Sequence, residues 1–174
     1  MHPKQSFLVL AFCAAGLLTF DVPSSGETGP SAAEYARHLP ALGQLSVAVA
    51  EAMPAEKYNF KPHPDSMTFA ELMVHIAATN YQFCAGLRDQ QPPSLPSPTA
   101  KPGVTKLLAD SFHYCDVVIL NLSESQLDAA HDSPDGHMPG RDILLALFIH
   151  VAHHRGQAEI YLRDVGIKPP GYRI

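Results

Sequence analysis

His150-Val151-Ala152-His153-His154-Arg155-Gly156-Gln157 sits inside an apolar run from Ile143 to Val165. That run predicts a single helix, because Ile143, Leu147, Ala158, Tyr161 and Val165 recur at steps of three and four. His150 and His154 fall on the same stripe. Residues four apart share a helix face, so the two rings can converge on one point above it. His153 lies roughly a third of a turn away and reads as a flanking residue. A buried polar group without a partner costs roughly 1–3 kcal/mol. Two histidines on one core stripe are satisfied more readily by one metal ion than by two separate sets of side chains. The stretch therefore predicts a long buried helix carrying half of a tetrahedral metal shell.

The third ligand has to come from another helix. His75 is the best-placed candidate, in Thr68-Phe69-Ala70-Glu71-Leu72-Met73-Val74-His75-Ile76-Ala77-Ala78-Thr79. Thr68 followed by Glu71 is a capping-box pattern that starts a helix at this point. Phe69, Leu72, Ile76, Phe83 and Leu87 form its buried face, with His75 on the edge. Alone, His75 reads as a boundary residue; beside the 150/154 pair it completes a three-histidine site. His113, on the next helix, is the competing position.

These motifs carry a resemblance. Thr68-Phe69-Ala70-Glu71-Leu72 with His75, then His150-x-x-His153-His154-Arg155-Gly156-Gln157 and Tyr161-Leu162-Arg163-x-x-Gly166, resembles the DinB/YfiT-like superfamily over residues 31–172. The resemblance implies an all-α four-helix bundle in up-down-down-up order. It also implies a divalent metal ion, zinc or nickel, on His75, His150 and His154, the same three residues that the stripe selects. Members include thiol-dependent transferases and isomerases that act on small electrophiles, so the implied function is metal-dependent hydrolase or transferase chemistry on a small molecule. The alternative is an exported metal-binding bundle without turnover. Asn80, Arg155, Gln157 and Tyr161 are candidates for orienting a ligand. No general base stands out: capping explains Glu71, and Glu159 points off the histidine track.

Around these motifs the chain divides into further elements. A first helix is expected from Ser31, its N-cap, to Met53, kinked at Pro40 and closed by Pro54. The second should run from Thr68 to Asp89 and the third from Gly103 to Leu122. Between them Pro92, Pro93, Pro96, Pro98 and Pro102 exclude helix. An extended 90–102 segment reaches ~40 Å, enough to pass along a helix of ~30 Å. That is the crossover which parallel second and third helices require. His131 and His137 lie in a turn-rich stretch and are expected to serve turns, not a metal. Gly166 should cap the last helix, with Pro169-Pro170 beyond it. Gly156, mid-helix, costs ~1 kcal/mol against Ala; the expected return is close approach of a neighbouring helix.

Charge and composition narrow the partners. The formal charge is −5, and the arginines are scattered, which argues against nucleic-acid or anionic-membrane partners. A small-molecule ligand is the expected partner, and the pattern leaves a homodimer open. Met1 to Ser6 is short and basic and Phe7 to Phe20 is apolar, a signal-peptide pattern for residues 1–26 and export, as to a bacterial periplasm. Of the three cysteines, Cys13 would leave with that segment. If the second and third helices start level at Thr68 and Gly103, Cys84 is offset by one turn, ~6 Å, from Cys115. Two buried free thiols are the resulting expectation.

Overall fold

The computed structural model describes residues 30–172. The expected signal segment lies outside the described residues. Four long helices dominate: α1 (Ala32–Ala52), α2 (Phe69–Gly86), α3 (Lys101–Leu120) and α5 (Gly140–Asp164). Between α3 and α5 lie a short α4 (Glu124–Asp128) and an antiparallel hairpin, β1 (Ala130–Ser133) with β2 (Gly136–Pro139).

Local chemistry sets the helix starts. Ser31 and Thr68 are N-caps, each in a reciprocal capping box with the glutamate three residues on, Glu34 and Glu71. The chain stays helical on both sides of Pro40. At the end of α5, Gly166 takes the left-handed conformation (φ 82°) that favours glycine.

Side-chain contacts give the helix directions. Lys101, first in α3, donates to the carbonyls of Glu51 (2.6 Å) and Met53 (2.9 Å) at the end of α1, so these helices are antiparallel. Its ammonium also satisfies carbonyls that a helix end leaves without partners. Asn80 bonds Ser111, and Cys84 pairs with Cys115, both at a separation of 31 residues. A constant difference means that α2 and α3 run parallel. Phe69 meets Tyr161 while Phe83 meets His150, so α2 and α5 are antiparallel. Tyr35 packs on Phe148, and Arg141 reaches the Pro30 carbonyl, so α1 and α5 are parallel. This is the up-down-down-up bundle. Residues 90–99, without helix or strand, join α2 to α3, with Leu95 packed against the core.

The cysteine expectation is overturned. Cys84 and Cys115 form a disulfide, with Cα atoms 5.4 Å apart. The third helix begins at Lys101, two residues before Gly103, with Pro102 in its first turn, where a missing N–H costs nothing. The second begins at Phe69, one residue after Thr68. These shifts bring Cys115 to within one residue of level with Cys84. The hairpin is the other addition. Gly86 is needed beneath it, because a Cβ there would overlap the Asp132 carbonyl oxygen. His131, 4% exposed, is tied to Asp89 and to the Gln126 carbonyl, each at 2.8 Å. It thus serves the hairpin's anchorage. His137 pairs with Asp132 on the surface.

The disulfide closes a long loop and so restricts the unfolded chain. Reduction, or Cys84→Ser with Cys115→Ser, should cost roughly 3–4 kcal/mol. Thermal unfolding with and without reductant measures it. An unchanged midpoint in fully reduced protein would remove the cross-link from the account of stability.

Candidate metal centre

α2 and α5 bring His75, His150 and His154 to one point. Nε2 of His75 lies 3.0 Å from Nε2 of His150 and 3.2 Å from Nε2 of His154. The three ligand atoms all lie within 4.8 Å of one another. Nitrogens in a tetrahedral shell at zinc–nitrogen distances are ~3.3 Å apart. All three rings are partly buried. Burial, then the neighbouring imidazoles, hold His75 below its ordinary pKa and push His150 down to about 4. His154 is also lowered by burial, against an opposing bond to Gln157. The rings are therefore neutral near pH 7, the form in which imidazole binds metal.

The surrounding bonds prepare the same form. An amide oxygen only accepts, so the 2.8 Å contact of His154 Nδ1 with Gln157 Oε1 places the proton on Nδ1. Nε2 of His154 then turns a lone pair toward its two neighbours. The Gln157 amide in turn lies 3.1 Å from His153 Nε2. His150 Nδ1 is buried without a partner among the described residues. Mutual hydrogen bonds cannot satisfy three nitrogens crowded at one point, whereas a single cation can accept a lone pair from each. The donor set fits a divalent metal ion.

Beside His154 opens a cleft of about 400 Å³, lined by Ser66, Met67, Leu72, His154, Gln157, Ile160 and Tyr161. The Tyr161 hydroxyl donates to the Met67 carbonyl at 2.9 Å. Of the four ligand-orienting candidates, Gln157 and Tyr161 border this cleft. Asn80 instead bonds Ser111 between α2 and α3. Arg155 pairs with Glu159 and lies 5.3 Å from the Tyr172 ring centroid. His113 is exposed on α3 in a separate groove against α1, and His153 is exposed outside the cluster. Neither is grouped with the three converging rings.

Met67 and Ile160 are not marked by any sequence pattern. Ser66 and Met67 lie before the Thr68 cap, and Ile160 sits outside the core stripe. The close approach expected at Gly156 is absent among the described residues, since a Cβ there would meet none of them within 4 Å.

With fold and cluster in place, the comparison with known proteins is direct. A model of the DinB superfamily matches residues 38–158. The chain belongs to the DinB superfamily. It is 27% identical over 123 residues to the uncharacterized protein YjoA of Bacillus subtilis, covering 68% of this chain and 80% of YjoA. Two solved structures share the fold. A DinB-like protein of Bacillus cereus has a TM-score of 0.71 at 17% identity, covering 81% of this chain and 97% of that one. The structure of Bacillus subtilis YjoA has a TM-score of 0.66 at 22% identity, covering 80% and 97%.

The depressed histidines have a consequence for the metal-free protein. The unfolded chain binds protons at His150 below its ordinary pKa of 6.5, whereas the folded chain does so only below about 4. Stability is therefore present above pH 6.5 and is lost as pH falls from there toward 4. Urea unfolding in the presence of chelator should show this loss, and His150→Leu should flatten it. An equal slope in both proteins would mean that His150 does not carry the effect.

Proposed function

We propose that this is a divalent-metal protein, with zinc or nickel held by His75, His150 and His154, acting on a small molecule as a hydrolase or transferase. The observation that carries the reading is the Nε2 spacing of 3.0 and 3.2 Å among neutral rings. Three histidine ligands leave a fourth position open, where such an ion activates water or holds a thiolate. Gln157 orients His154, and the cleft beside it admits a small ligand along Leu72, Ile160 and Tyr161.

One observation favours the alternative, metal binding without turnover. Glu71 is engaged in capping Thr68, and Glu159 is paired with Arg155. Neither is poised as a general base at the cluster, so chemistry here would rest on the metal-bound group itself.

We also propose export, with residues 1–26 as the signal. The basic start and apolar Phe7 to Phe20 support it, as does the Cys84–Cys115 disulfide, a bond typical of oxidising compartments. Mass spectrometry of the secreted chain would decide this by its N-terminus.

Elemental analysis of the purified protein tests the metal. About one equivalent of zinc or nickel is expected, retained by His153→Ala and lost by His154→Ala. Loss in the first variant with retention in the second would move the site to an i, i+3 pair. Gln157→Leu should keep the fold but weaken metal binding ~10–100-fold, because His154 loses its orienting acceptor. Competition against a chromogenic chelator reads that change, and undiminished affinity would remove Gln157 from the site. Hydrolysis or thiol transfer by the metal-loaded protein, absent from His154→Ala, separates the catalytic reading from simple binding.

A further inference from the structure

The inner face of α5 carries the histidines, while its outer face bears a second stripe that no element of the bundle covers. Leu145, Ile149 and Ile160 are 52%, 59% and 51% exposed, and Ala152 and Gly156 lie in line between them. Gly156 is the telling residue. Glycine disfavours a helix, and a Cβ added here would meet nothing within 4 Å. The bundle itself gives no reason for leaving out the side chain. Close approach by something beyond the described residues would.

The order of the stripe identifies that something. Leu145 and Ile160, Ile149 and Gly156, and Ala152 and His153 all have the same midpoint, between Ala152 and His153. Asp142 and Arg163, both exposed, close the series about the same point with opposite charges. A sequence that pairs with its own reverse is what a two-fold axis across antiparallel helices demands. The geometry points to a second copy of this chain, docked α5 against α5 with the axis at Ala152 and His153.

In that dimer Ile149 of one copy fills the space above Gly156 of the other, and Leu145 packs on Ile160. Asp142 faces Arg163, whose present neighbour is Glu159 at 3.7 Å. Ile160 also lines the cleft beside His154, so the second copy's Leu145 would wall the outer rim of that cleft. The association uses none of the three clustered histidines and does not rest on their binding metal.

Sedimentation equilibrium on the full chain tests it, with circular dichroism as the fold control. The unaltered chain should be dimeric at micromolar concentration. Gly156→Leu should weaken the dimer ~100-fold while leaving the monomer folded, since the new side chain favours helix and meets open space. Asp142→Arg should weaken it ~10-fold by setting like charges together, and adding Arg163→Asp should restore it. Overturning results are a monomeric native chain, a dimer indifferent to Gly156→Leu, or a charge exchange without rescue. The second would place the contact elsewhere on the chain.

Discussion

Three neutral imidazoles that must meet at one point set the register of the bundle. His75 comes from α2, and His150 and His154 lie one turn apart on α5, so the two helices have to run antiparallel with these residues level. A slip of one turn would leave His75 opposite one histidine and separate it from the other. Burial at this point is tolerable because the rings stay uncharged and because His154 has an acceptor in Gln157. His150 Nδ1 has no partner among the described residues, so part of the cost stays with the fold. A cation held at the opposite nitrogen would offset that cost.

α2 has to be held on its other side as well. It runs parallel to α3, and a parallel pair cannot be joined by a tight turn. The proline-bearing 90–99 segment makes the connection, and the disulfide and the Asn80–Ser111 bond pin the two helices at a common offset. Lys101 ties the start of α3 to the end of α1. The hairpin, seated over Gly86 and anchored by His131, secures the far end of α2. The element that presents His75 is thus fixed at its middle and its end, while its first turn opens on the cleft.

The bundle, the three histidines and the parallel α2/α3 pair were legible because each depends on a period or a reach that sequence displays directly. A stripe at steps of three and four singled out His150 and His154 over His153. The disulfide was not legible, because it depended on a helix start. Pro102 excludes helix interiors but is compatible with the first turn of α3, and the three residues by which the two helix starts differ remove most of the expected one-turn offset at Cys115. The hairpin strands, four residues each, are too short for alternation to stand out against their turn residues. The contacts of Asn80 and Arg155 depend on which neighbour each helix flank receives, and one chain's pattern does not reveal that.

Gly156 joins these lessons to function. Its sequence position next to the histidines invited an explanation from within the bundle, and the structure shows open space above it instead. α5 therefore carries two demands on opposite faces. Inward, it places ligands among apolar side chains. Outward, it repeats an apolar stripe interrupted by its smallest residue. Only the flanks are free for polar work: Gln157 and His153 on the cleft side, Arg155 and Glu159 on the other. A helix so divided has little room for an added catalytic carboxylate at the cluster. The cleft beside the cluster shares its outer rim with the external stripe, through Ile160.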